Sequence, residues 1–209
     1  EIAVACRKEG FLHDVSTPYR PETSGVAERA VRLVREATAC SLCQSGLGDL
    51  WWPEAQACAL FLYNISHVEK DGFTPFFKRF QEEFKGPKFP FGCLVQYKPS
   101  SPQDQERTHK FGPNMLKGLF AGYEQRAGGK WAGDVYVIDL VELSEVKLAN
   151  KVHLRRIKGG ELQAVSPGGI FQFPVAEGKV SQPEDTEDPG IARPEKVDGG
   201  QDSEKENEP

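Results

Sequence analysis

No run of apolar residues in this sequence approaches the roughly 20 that a membrane-spanning helix needs, so a hydrophobic span is excluded and no membrane partner is expected. No signal-peptide pattern opens it: the first residue is Glu1 rather than Met. The expectation is a piece of a longer, intracellular protein. Cysteine is too sparse for a secreted disulfide scaffold. The five thiols of Cys6, Cys40, Cys43, Cys58 and Cys93 in 209 residues read as reduced. Cys40-x-x-Cys43 has the spacing of half a zinc site, but no second Cys or His pair at finger-like spacing accompanies it. Both residues fall in an expected helix, and ordinary buried thiols are the plainer reading. No internal repeat is evident.

What is present suits a soluble protein, with 38% hydrophobic and 27% charged residues. The net charge of -5 is unevenly spread. From residue 176 onward there are 11 Asp/Glu against 4 Lys/Arg, which leaves 20 acidic and 22 basic residues in the body. An acidic tail on a near-neutral body neither demands nor excludes nucleic acid, so local clusters must decide.

Residues 1–10 read as the end of a helix stopped by Gly10, and residues 11–17 as a short strand. Pro18 and Pro21 bracket Tyr19 and Arg20 in an extended or turning loop. Thr23 or Ser24 can cap a long helix that ends at Gly46. Val26, Ala27, Ala30, Val31, Val34 and Ala37 recur at helical spacing and are expected to be its buried stripe, with Glu28, Arg32 and Arg35 on the other side. A second helix is expected over residues 50–65, with Pro53 in its first turn. It is apolar on most sides, hence buried in the domain or against a second copy, and self-association through it is an expected partnership. Thr74-Pro75 caps a third, short helix. Seven phenylalanines between Phe73 and Phe91 alternate with basic residues. Such a mixture can stack single strands, but gluing one subdomain to the next is the favoured reading.

From Gly92 the pattern becomes β, with strands expected over residues 93–98, 116–123, 134–140 and 145–152. Several short strands in so little chain suggest a small barrel. His153, Arg155, Arg156 and Lys158 cluster at its end, either as an edge facing nucleic acid or as a solvated strand end. Past Val175 large apolar residues all but vanish, and a disordered tail is expected.

Tyr19-Arg20-Pro21-Glu22-Thr23-Ser24-Gly25-Val26-Ala27-Glu28-Arg29 closely resembles the Pro-Tyr-x-Pro-Gln-x-Asn-Gly-x-Ala-Glu-Arg signature of retroelement integrases, copia-type (Pseudoviridae) retrotransposons above all. The likeness continues in family order through Trp51-Trp52-Pro53-Glu54-Ala55, the segment from Gly72 to Phe76, Phe91-Gly92-Cys93 and Gly118-Leu119-Phe120-Ala121-Gly122-Tyr123. The resemblance implies an α/β then β fold class. Residues 1–85 would be the C-terminal, mainly helical part of an RNase H-like catalytic core, and 86–158 a small Src-homology-type β-barrel. Residues 159–209 would be a linker and disordered acidic tail.

It further implies DNA integration as the function of the Pol polyprotein, in the nucleus, with element ends and target DNA as partners. In the family an Asp, Asp, Glu set holds two Mg²⁺ or Mn²⁺ ions for in-line attack on a phosphodiester. Glu28 falls at the third carboxylate, and a helix N-terminus favours its charged form. On spacing alone, a solvent-facing Glu28 paired with Arg32 at i+4 is the favoured reading; the flanking signature turns it toward the metal ligand. Arg32 and Arg35 match basic positions that contact DNA, and Tyr19 a loop position near the DNA end. Glu22 stands where the signature has Gln, and Ser24 where it has Asn. The first two aspartates belong upstream, and Asp14 lies too near Glu28 to replace either. Holding one of three metal carboxylates, the chain alone is expected to bind no metal pair and to be catalytically inactive. A non-catalytic nucleic-acid-binding or oligomerisation module of retroelement origin is the alternative.

Overall fold

The computed structural model describes Lys8, Gly10, residues 25–108 and residues 114–183. The expected strand at 11–17, the loop carrying Tyr19 and nearly all of the expected first helix lie outside the described residues, as does 184–209.

Helix α1 (Gly25–Ser45) has Glu28 in its first turn, and Gly46 ends it at φ +73° with its N–H on Leu42 O at 3.0 Å. Glycine enters that left-handed conformation without the cost a Cβ imposes. The expected buried stripe is corrected here. Val34 and Ala37 are half-buried, but Val26 is 75% and Val31 58% exposed, and Ala27 and Ala30 face solvent too. The covered line runs instead through Val34, Ala37, Thr38, Ser41, Leu42 and Ser45 toward the C-terminal end. Helix α2 (Trp52–Ser66) packs there, while residues 26–33, in the first turns of α1, are exposed. The same geometry corrects the cysteines: Cys40 and Cys43 are exposed, Cys58 and Cys93 buried.

A 3-10 turn at Asp49–Trp51 leads into α2, whose Ala55, Cys58, Phe61 and Ile65 form one fully buried line. That line lies on the chain's own sheet. At Gly122 (φ +137°) an added Cβ would sit 3.5 Å from Cys58 Cβ, so helix and strand meet almost backbone to side chain. Helix α3 (Pro75–Phe80) starts from Thr74, whose Oγ1 accepts the Phe77 N–H at 3.2 Å. The phenylalanines after it act as glue. Phe61 packs on Tyr123 (ring centroids 4.5 Å) and Phe84 (5.4 Å), Phe84 on Trp131 (5.1 Å) and Phe89 on Phe120 (5.7 Å). Rings in this edge-to-face range add to the area they bury. One apolar cluster therefore runs unbroken from Leu47 to Leu162, across the sequence division at residue 85.

Five antiparallel strands, β1 (Leu94–Tyr97), β2 (Leu116–Gln125), β3 (Trp131–Asp139), β4 (Leu154–Lys158) and β5 (Leu162–Ala164), order as β4-β3-β2-β1-β5. The first three sit where the sequence puts them. The strand expected over 145–152 does not form. Asp139 accepts the Val141 and Glu142 N–H groups and starts α5 (Leu140–Glu145), so the fourth strand comes later, at β4. The two sheet edges, β4 and β5, are joined by a three-residue 3-10 turn, Gly159–Glu161. In a flat five-stranded sheet those edges would stand about 19 Å apart. Three residues at ~2 Å each cannot cross that gap, so the sheet coils until its edges approach. Register shifts between Phe120/Gly122 and Tyr123/Gln125 supply local bends.

Residues 159–183 are not a linker, which corrects the expected start of the tail. β5 pairs with β1 (Val95↔Ala164) and Leu94 N–H bonds to Gln172 O at 2.8 Å. Phe171, Phe173, Val175 and Val180 pack on the core. Gly48 N–H donates to Gln182 Oε1 at 2.8 Å, so this strap returns to the C-terminal end of α1. Among the described residues no helix is long and apolar enough to cross a membrane.

Candidate functional site

Ala27, Glu28, Val31, Arg32, Arg35, Glu36 and Ala39 line one open concavity along α1. The structure thus brings three of the four site residues expected from sequence onto one face, while Tyr19 lies outside the described residues. Glu28, Arg32 and Arg35 are exposed, and among the described residues none has an ion-pair partner. The Glu28–Arg32 surface pair is not formed. Two guanidiniums about one turn apart, without an ion-pair partner among the described residues, suit phosphate oxygens.

A metal pair does not fit this face as described. Glu36, its other carboxylate, is two turns from Glu28, about 12 Å along the axis, too far to share an ion. Among the described residues no three His, Cys, Asp or Glu side chains gather as ligands.

The second sequence candidate, the basic cluster at 153–158, is divided by strand alternation. Arg155 is mostly buried; its Nε donates to Asp104 Oδ2 at 2.8 Å, and its Nη1 is bonded to Glu142. Arg156 points the other way, with Nε on Asp134 Oδ2 at 2.7 Å. His153 is on Glu142, its backbone N–H at 2.9 Å and Nδ1 at 2.7 Å from Oε1. Carboxylates therefore hold three of the cluster's four basic residues, which removes the reading of a continuous basic edge.

These contacts belong to a polar network for which the sequence reading gave no warning. Asp139, fully buried, accepts the Tyr97 hydroxyl on Oδ2 at 2.6 Å. Its Oδ1 lies 3.2 Å from Arg107 Nη1, which also reaches Asp104 Oδ1 at 3.1 Å. Asp104 passes the chain of contacts to Arg155, and Arg155 to Glu142 and His153. The hydrogen bond from Arg155, opposed by burial and helped by Ser101, holds Asp104 below the usual carboxylate range. At Glu142 burial pushes up, but hydrogen bonds from Arg155 and His153 outweigh it and its carboxyl is lowered. Burial, then the Asp139 carboxylate, pushes the Tyr97 hydroxyl far above its ordinary range. With every carboxylate engaged the network is a brace between β1, α4 (Pro102–Glu106), β3 and β4. Its one local signal was Asp139-x-x-Glu142, the spacing of a helix-starting box.

Among the described residues the arginine face of α1 is therefore the candidate interface, and the network is a brace within the sheet. No protein-family model matches the chain.

Proposed function

We propose that this chain is part of a copia-type retrotransposon integrase, with α1 as the carboxylate-bearing, DNA-facing helix of an RNase H-like core and the coiled sheet as the Src-homology-type barrel that follows. The role in DNA integration is nuclear in this reading. What the described residues themselves contribute is a grip on nucleic-acid phosphate, not strand transfer. In the intact family site Glu28 would join two aspartates in holding Mg²⁺ or Mn²⁺; the residues described supply only that one ligand.

One observation carries the reading: Arg32 and Arg35 lie exposed beside Glu28 on the helix that the ordered signature from Tyr19 to Arg29 opens. Five short antiparallel strands with their outer edges drawn together support the barrel. Self-association rests on the N-terminal end of α2 and the 3-10 turn before it, where Trp52 is 55% and Leu50 36% exposed.

Fluorescence anisotropy with a labelled DNA duplex between 50 and 200 mM salt tests the grip. Log affinity is expected to fall linearly with log salt concentration. Substituting both Arg32→Gln and Arg35→Gln should shrink the slope by about 2, one counterion per phosphate contact. Salt-independent affinity, or none at low salt, would sink the proposal.

A further inference from the structure

We infer that residues 184–209 dock on the arginine face of α1, standing in for nucleic-acid phosphate within the same molecule. Three observations converge on this occupant.

The first is where the segment starts. The strap returns to α1: an added Cβ at Gly46 would lie 2.4 Å from Ala176 N, Gln182 accepts from Gly48, and Pro183 is buried. Residue 184 therefore departs beside the C-terminal end of the helix that carries Arg29, Arg32 and Arg35.

The second is charge. Residues 184–209 hold ten Asp/Glu against three Lys/Arg. Arg107, Arg155 and Arg156 all sit on carboxylates, whereas Arg29, Arg32 and Arg35 have no carboxylate partner among the described residues. Glu28 and Glu36 share the face, so an acidic segment must meet the arginines individually and not a uniform positive field.

The third is reach. Arg35 lies ten residues back from Ser45 and Arg32 thirteen, about 15 and 20 Å along the axis. Twenty-six residues can span at most about 90 Å, so the face is within reach. A tethered segment experiences an effective concentration of order mM. Weak attraction between exposed charges then suffices at low salt and fades once the Debye length shortens. The consequence, competition with nucleic acid for Arg32 and Arg35, rests on the function proposed above; the contact itself does not.

The experiment compares the full chain with a length-matched variant whose ten Asp/Glu in 184–209 are changed to Asn/Gln. Without nucleic acid, the Nε–Hε and backbone resonances of Arg29, Arg32 and Arg35 should move when the segment is neutralised. They should move the same way in the unaltered chain as salt rises. Resonances that coincide in the two chains at low salt overturn the docking. With duplex DNA at low salt, the neutralised chain should bind about three- to tenfold more tightly, the gap closing as salt rises. Arg32→Gln with Arg35→Gln should erase that gap. A gap that survives this double substitution is general repulsion between segment and DNA, and also overturns the docking. Moving resonances with no duplex binding by any variant support the contact and remove the nucleic-acid reading alone.

Discussion

Tyr97 and Asp139, 42 residues apart in sequence, meet at 2.6 Å in the interior, where the tyrosine hydroxyl donates to a carboxylate with no solvent exposure. That carboxylate also starts α5 and receives Arg107, so one side chain ties β1, α5 and the end of α4 together. Removing the tyrosine hydroxyl leaves Oδ2 of Asp139 without its partner, and removing Asp139 leaves the hydroxyl without one, in a place water does not reach. Tyr97→Phe is expected to lower unfolding free energy by about 1–3 kcal/mol. Asp139→Ala should cost about 3 kcal/mol or more, since it strips the α5 cap, leaves the Tyr97 hydroxyl unpaired and takes one of the two carboxylates from Arg107. Urea denaturation followed by tryptophan fluorescence measures both. Equal, near-zero effects would mean the pair contributes nothing.

Acid should loosen the same brace. Asp104 and Glu142 have folded-state carboxyls held below their ordinary range, so the folded chain binds fewer protons than the unfolded one there. Their contribution is complete above the ordinary carboxylate range and is lost as pH falls through the lowered values. Stability should thus stay flat between pH 7 and about 5 and decline below about 4. Arg155→Gln should cost about 2 kcal/mol at neutral pH, between exposed and buried limits, and should flatten that acid decline. A variant with the same acid slope as the parent would show that Arg155 is not what lowers the two carboxyls.

Two glycines separate backbone strain from crowding. Gly72 has φ +85° with open space around it, whereas Gly46 at φ +73° faces Ala176 backbone at 2.4 Å. Gly72→Ala should cost about 1 kcal/mol, the left-handed penalty alone. Gly46→Ala should cost clearly more, because the strap must move as well. Thermal melts of the two variants side by side give the comparison.

Thiol reactivity should divide the described cysteines two and two. Burial pushes the Cys93 thiol up to about 12 and that of Cys58 higher still. An alkylating reagent at neutral pH should label Cys40 and Cys43 within minutes, and Cys58 and Cys93 only after unfolding. Peptide mass mapping reads the sites. Rapid labelling of Cys58 would contradict the packing of α2 against Gly122.

Local grammar foretold the elements whose signals lie within a few residues. Gly46 as a stop, Pro53 in a first turn, Thr74 as a cap and the strand starting at Leu116 all behave as their side chains dictate. Distance hid the rest. Arg155 and Arg156 read equally as an edge facing nucleic acid or a solvated strand end, because the carboxylates that neutralise Arg155 come from positions 51 and 13 residues earlier. Leu162-Gln163-Ala164 is too short to announce a strand until β1 is there to pair with it. The apolar residues of α1 told that a face could be covered, but not how far along the helix its neighbour extends. That Glu28, Arg32 and Arg35 share one face of α1 follows from their helical spacing, whereas the Asp139 network needed three dimensions to be seen.

Since β1 is held on one side by a strand about 70 residues further on, the molecule cannot close while it is being made. A nascent chain halted anywhere before Gln163 would present β1 with one flank bare, a template for whatever extended peptide came near. The strap after it must also emerge before Gly46 and Gly48 find their neighbours. Any truncation intended to isolate the helices, or the sheet, inherits that sticky flank, so useful fragments of this protein should be cut after Pro183.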